Sequence, residues 1–131
     1  VWMSKMLITK NYHKIKIYHN PRCTKSRIAL KAISDRGIQV EIVEYLKSPI
    51  TEDELANILH ILKVDIQKII RKNEKIFKES FKGKTLTEKE WITVLCANPK
   101  LIHRPILISD NVASIARDEQ ELNSFLNNIE H

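Results

Sequence analysis

The hydrophobic period of the chain changes twice between Ile15 and Tyr45, and that change restricts the folds open to it. Ile15 to Tyr18 is a short run of β-branched and aromatic residues, broken by Asn20-Pro21 as a strand running into a turn would be. From Thr24 the apolar residues Ile28, Ala29, Ala32 and Ile33 recur at helical spacing, with Lys25, Arg27 and Lys31 elsewhere and Gly37 placed to close the helix. Ile38 to Tyr45 returns to β-rich residues. Two strands separated by a helix of this length form a βαβ crossover, which joins a parallel pair and demands a layered α/β architecture.

Helix signals follow. Thr51 with Glu54 makes a capping box ahead of Leu55, Ile58, Leu59 and Leu62, and Asp65 can cap a third helix carrying Ile66, Ile69 and Ile70. Thr87 with Glu90 opens a fourth, bearing Trp91, Val94 and Leu95 before Pro99, so about 51–98 reads as mainly helical. Leu101-Ile102, then Ile106 to Ile108, a Ser-Asp-Asn turn and Val112 to Ala116 read as an antiparallel hairpin. Asp118 and Glu121 cap a last helix with Leu122, Phe125, Leu126 and Ile129 on its apolar face. The order β, α, β, helical block, β, β, α is that of a thioredoxin-like α/β fold: a mixed four-stranded sheet with a helical insertion before the third strand.

With 131 residues, 2 Gly and 4 Pro, the chain fits one domain without linkers or low-complexity stretches. Residues 1–14, which include Trp2, Met3, Met6, Leu7 and Ile8, have too short an apolar run and no small-residue cleavage site for a signal peptide. They are set apart as an upstream or artificially added extension, leaving one domain over 15–131. No apolar run approaches the roughly 20 residues of a membrane span. Cys23 and Cys96 make neither a disulfide framework nor a paired-Cys metal site, which points to a reducing, cytoplasmic compartment. His60, His103 and His131 have no metal-ligand spacing, so no metal is expected.

The formal charge is +6, from 22 Lys and Arg against 16 Asp and Glu, which suits an anionic partner. The cations are interleaved with acids, as in Lys72-Asn73-Glu74-Lys75, and no basic stripe with aromatics appears, so nucleic acid is not the expected partner.

The chemistry concentrates at His19-Asn20-Pro21-Arg22-Cys23-Thr24-Lys25-Ser26-Arg27. Cys23 stands where a helix begins, and free N–H groups with the positive end of the helix dipole favour thiolate over thiol. His19, Arg22, Lys25 and Arg27 can add positive potential. A free cysteine is commonly an inert core residue, but a turn carrying Pro, Arg, Lys and Ser is a poor place for one. The same N–H groups can receive an oxyanion. Position 26 is Ser26, so an internal C-x-x-C dithiol is excluded; position 29 is Ala29 where a phosphatase-type loop needs Arg. The Ser26 hydroxyl can donate to the thiolate or satisfy first-turn backbone groups, and the sequence leaves both readings open.

Ile-Tyr-His-Asn-Pro-Arg-Cys-Thr-Lys-Ser-Arg at Cys23, Ile-Ile-Arg-Lys-Asn at Arg71, Leu-Ile-His-Arg-Pro-Ile at Arg104, and Arg117 after the last strand together resemble the glutaredoxin-coupled arsenate reductases of the ArsC type, over about residues 15 to 128. The resemblance implies that Cys23 attacks the oxyanion, that Arg71, Arg104 and Arg117 hold its charge, that His19 favours the thiolate, and that Pro105 is cis. It further implies glutathione as co-substrate, glutaredoxin as partner and no tightly bound cofactor. Guanidinium forks suit the task, since an oxyanion must be neutralised before a thiolate can approach it. Thr24-Lys25 stands where the best-matched arsenate reductases carry Gly-Thr, which is more similar to a branch of the family without assigned substrate.

The arginines also have structural readings: Arg71 at a helix C-terminus, Arg117 paired with Asp118 or Glu119. Cys96, on the apolar side of the fourth helix, reads as core packing rather than a resolving thiol. The rival functions are an Spx-like regulator docking on RNA polymerase or another protein, against which Ser26 counts, and a general glutathione-disulfide exchanger.

Overall fold

The β-branched run after Lys14 becomes the second strand of a sheet, hydrogen-bonded on both edges, in a computed structural model that describes residues 14–129. The expected extension therefore lies outside the described residues, apart from Lys14, which opens the strand. The strands are β1 (Lys14–Tyr18), β2 (Gln39–Val43), β3 (Ile106–Ser109) and β4 (Val112–Ile115), in the order β2-β1-β3-β4. β1 pairs parallel with β2, from Lys14 against Gln39 to Tyr18 against Val43, and antiparallel with β3, which pairs antiparallel with β4. The helices are α1 (Thr24–Asp35), α2 (Glu52–Leu62), α3 (Lys75–Ser80), α4 (Glu88–Ala97) and α5 (Glu119–Ile129). The crossover from β1 through α1 to β2 and the mixed four-stranded sheet agree with the sequence reading.

Strand alternation divides the core in two. Ile15, Ile17 and Leu107 pack with Ala29 and Ile33 of α1 and with Leu122, Phe125 and Leu126 of α5. Tyr18 and Ile106 pack with Leu55, Ile58, Trp91 and Leu95, so the helical insertion covers the opposite face. Both insertion capping boxes form: Thr51 Oγ1 accepts from the Glu54 N–H at 3.1 Å, and Thr87 Oγ1 from the Glu90 N–H at 3.1 Å. Asp118 Oδ1 accepts from the Glu121 N–H at 2.8 Å. Gly37, at φ +70°, takes the left-handed position that ends α1. No described helix is long and apolar enough to cross a membrane.

Several local expectations change. The inward line of α1 is Ser26, Ala29 and Ile33, and Ile28, turned away from it, is 54% exposed. The helix expected after Asp65 is a 3-10 turn, Ile66–Ile69, ended by Ile70 in an isolated antiparallel bridge to Ile102. Non-local pairing overrides helical spacing there, with Arg71 N–H donating to Leu101 O at 2.7 Å and His103 N–H to Ile69 O at 2.8 Å. Leu101 likewise ends a 3-10 turn instead of opening a strand. The short α3 was not foreseen; its one buried residue, Phe77, stacks on Trp91 with centroids 6.1 Å apart. The hairpin turn is shorter than expected, because Ser109 belongs to β3 and Asp110 takes φ +50°.

Candidate active site

The C-terminal end of β1 delivers the chain into a turn that places Cys23 as the N-cap of α1. Asn20 organises that turn: its Oδ1 accepts from the Arg22 N–H at 3.0 Å and its carbonyl from the Cys23 N–H at 2.9 Å. Ser26 is fully buried, and its Oγ accepts from the Asn20 N–H at 3.3 Å. Of the two readings of this hydroxyl, bracing the turn backbone is the one seen. Arg27 does the same work from outside, with Nη1 donating to Pro21 O at 3.0 Å and Nη2 to Thr24 Oγ1 at 3.3 Å.

Partial burial pushes the Cys23 thiol up, but the Ser26 N–H, the Arg104 guanidinium and the Lys25 N–H together outweigh it, so the thiol is held below its usual range. Backbone donors of the first helical turn and one arginine thus favour the thiolate. Ser26 acts on the sulfur through its amide, not its hydroxyl.

Cys23 opens into a cavity of about 630 Å³, and Arg71, Arg104 and Arg117 all reach it. The chain brings them from three places. Arg71 follows the Ile70 bridge, with Nη1 donating to Lys100 O at 3.1 Å and a 3.5 Å ion pair to Glu74; it does not end a helix, as its sequence context suggested. Arg104 precedes Pro105, and the bond between them is cis, as the resemblance implied. Arg117 follows β4, exposed, and among the described residues it pairs with neither Asp118 nor Glu119. Arg22, Lys25 and Lys72 add further positive charge to the rim.

His19 differs from expectation. It is 5% exposed, and burial, reinforced by Arg27 against the opposing pull of Glu44, lowers its pKa from 6.5. Burial thus favours the neutral ring and weakens the positive potential that His19 adds near the thiol. Its backbone N–H donates to Val43 O at 2.8 Å, tying the exits of β1 and β2 together.

His103 went unnoticed except as a non-ligand, yet it lines the cavity. Burial first, then Arg117, Arg71, Arg104 and Lys25, bring its pKa to about 4, so a neutral imidazole sits among four cations. Its place beside Arg104 in the motif was the available signal. Tyr45, also missed, is buried behind the site and feels Arg104, Arg71 and Cys23. Cys96 is partly buried against the insertion core, its thiol raised by burial and by Glu52 and Glu54. Among the described residues no cluster suited to a metal ion occurs.

Residues 18–125 match the ArsC family. The chain is 35% identical over 111 residues to the uncharacterised protein YfgD of Escherichia coli K12, covering 83% of this chain and 93% of that protein. It is 32% identical over 115 residues to an arsenate reductase of Neisseria meningitidis, covering 86% of this chain and 98% of the relative. The arsenate reductase of Vibrio cholerae superposes with a TM-score of 0.80 at 28% identity, covering 89% of this chain and 98% of that one. With the fold, the cysteine-capped helix and the matched span in agreement, the chain belongs to the ArsC family.

Proposed function

We propose that the protein is an ArsC-type oxidoreductase that reduces an oxyanion, arsenate being the substrate named for its relatives. One observation carries the reading: a thiol held low at the start of α1 faces a cavity shared by Arg71, Arg104 and Arg117. The arginines neutralise the incoming anion, and bidentate guanidinium contacts orient it without losing charge. The Cys23 thiolate attacks arsenic, displacing an oxygen that leaves as water and giving a thiolate adduct. A glutathione thiolate then attacks the Cys23 sulfur; arsenic takes up the electron pair of the broken sulfur–arsenic bond and leaves as arsenite. The remaining mixed disulfide between Cys23 and glutathione is reduced by a glutaredoxin thiol, which restores the Cys23 thiolate. Two thiols supply the two electrons, so one protein cysteine suffices and no resident cofactor enters the scheme.

The test is arsenate-dependent NADPH consumption coupled through glutathione reductase, glutathione and glutaredoxin. Turnover is expected to vanish in Cys23→Ser and to fall by about 10²-fold or more in Arg104→Ala, as when a donor to developing negative charge is removed. Absence of turnover in the wild type, with Cys23 still fast toward alkylating agents, overturns arsenate as substrate and leaves the thiol chemistry standing.

A further inference from the structure

The cavity at Cys23 is built mainly of hydrogen-bond donors. The side chains of Arg71, Arg104, Arg117 and Lys25 can only donate, and among the described residues no carboxylate lines the cavity. Its acceptors are few. Thr24 Oγ1 already takes a hydrogen bond from Arg27, Asn73 stands exposed on the rim, and the Cys23 sulfur is the attacking atom. His103 remains, half-buried and lining the same cavity. The chain fixes its place from both sides: Ile102 bridges to Ile70, the His103 N–H donates to Ile69 O at 2.8 Å, and the cis Arg104-Pro105 bond follows. Among the described residues no hydrogen bond engages its ring, and the ring nitrogens are not among the sealed polar atoms.

A neutral imidazole carries one N–H and one bare nitrogen, so it offers an acceptor where the other side chains offer only donors. The difference matters for an oxyanion that keeps a hydroxyl near neutral pH, as arsenate does and sulfate does not. That hydroxyl needs an acceptor, and in a cavity of donors alone it would face N–H groups. We propose that His103 is a specificity residue of this cavity, its bare ring nitrogen accepting from the hydroxyl of a protonated oxyanion and so favouring such anions over those with bare oxygens only. The assignment rests on the oxyanion reading above and deepens it, naming the class of anion the cavity selects. The bare nitrogen persists through the neutral range, because burial first and then Arg117, Arg71, Arg104 and Lys25 oppose a further positive charge on the ring.

The experiment is protection of Cys23 against iodoacetamide by inorganic arsenate and, separately, by inorganic sulfate, in weakly alkaline buffer. Both anions are then tetrahedral dianions, and only arsenate bears a hydroxyl. The wild type should need less arsenate than sulfate for half-protection. In His103→Phe, which keeps a planar ring and loses both nitrogens, that preference should fall about tenfold, the loss of one hydrogen bond to a charged partner. His103→Ala should show the same fall, which covers the case of a phenyl ring that disturbs the cavity. His103→Gln, whose amide oxygen accepts, should recover part of the preference. An unchanged preference in the Phe and Ala variants, or an equal loss of protection by both anions, overturns the His103 assignment and leaves the oxyanion reading intact. A wild type that both anions protect equally overturns it as well. Failure of either anion to protect the wild type at all removes the oxyanion reading together with the assignment.

Discussion

Arg104 faces the Cys23 thiol at the mouth of α1, so the residue that precedes the cis peptide bond acts on the sulfur of the residue that caps the first helix. Neither is close to the other in sequence. The antiparallel pairing of β1 with β3 sets their separation, because Tyr18 lies opposite Ile106, just inside each motif.

That pairing predicts how the thiol responds to loss of its neighbour. In Arg104→Ala the pH midpoint of Cys23 alkylation should rise toward the free-thiol value of about 8.5, since one donor and one positive charge are lost together. The Ser26 and Lys25 amides remain, so part of the lowering should persist. An unchanged midpoint would mean that the helix terminus alone sets the thiol.

The two cysteines should separate cleanly by rate. Cys23 is lowered, whereas burial and then Glu52 and Glu54 raise Cys96. At neutral pH one fast alkylation phase is expected, absent in Cys23→Ser and retained in Cys96→Ser. Loss of the fast phase in the Cys96 variant would reverse the assignment.

Ser26→Ala distinguishes bracing from activation. The hydroxyl accepts from the Asn20 N–H, so its removal should cost about 1 kcal/mol in urea-induced unfolding. The amide that touches the sulfur is retained, so the alkylation midpoint should barely move. A large upward shift at unchanged stability would put the hydroxyl on the thiolate instead.

Local signals made much of this legible. The β-run ending at Asn20-Pro21, the capping residues Thr51, Thr87 and Asp118, and the Arg104-Pro105 pair each state their role within a few positions. What escaped depends on distant partners. Ile66, Ile69 and Ile70 have helical spacing, but Ile70 answers to Ile102. The charge of His19 follows from its burial, and the unpaired hydroxyl of Tyr45 from its burial in the core under the helical insertion; neither leaves a mark in the neighbouring sequence. Arg27 is the converse case: a cation in the right motif whose side chain is committed to Pro21 and Thr24.

Glu54 should impose an acid limit on stability. Its carboxylate accepts from the Tyr18 hydroxyl at 2.6 Å, closes the cap with the Thr51 N–H at 3.3 Å, and pairs with Lys16 at 3.5 Å, joining β1 to α2. Burial raises its pKa, but the Tyr18 hydroxyl first, then Thr51 and Lys16, more than offset this, so the net direction is down. The folded protein thus prefers the ionised form more than the unfolded chain does. The stabilisation is complete above the unfolded value of about 4.3 and is lost as pH falls through the lower folded value. Glu54→Gln removes the charge and keeps a single carbonyl acceptor, which serves the Tyr18 hydroxyl or the Thr51 N–H but not both, since the two bond different oxygens of Glu54. It should cost on the order of 1 kcal/mol near neutrality, the difference between charged and neutral acceptors. Measured against pH by urea unfolding, the wild-type and variant curves should converge as pH falls below the unfolded carboxylate value and through the lower folded one. Parallel curves across that range would show that the Glu54 charge contributes nothing to holding β1 against α2.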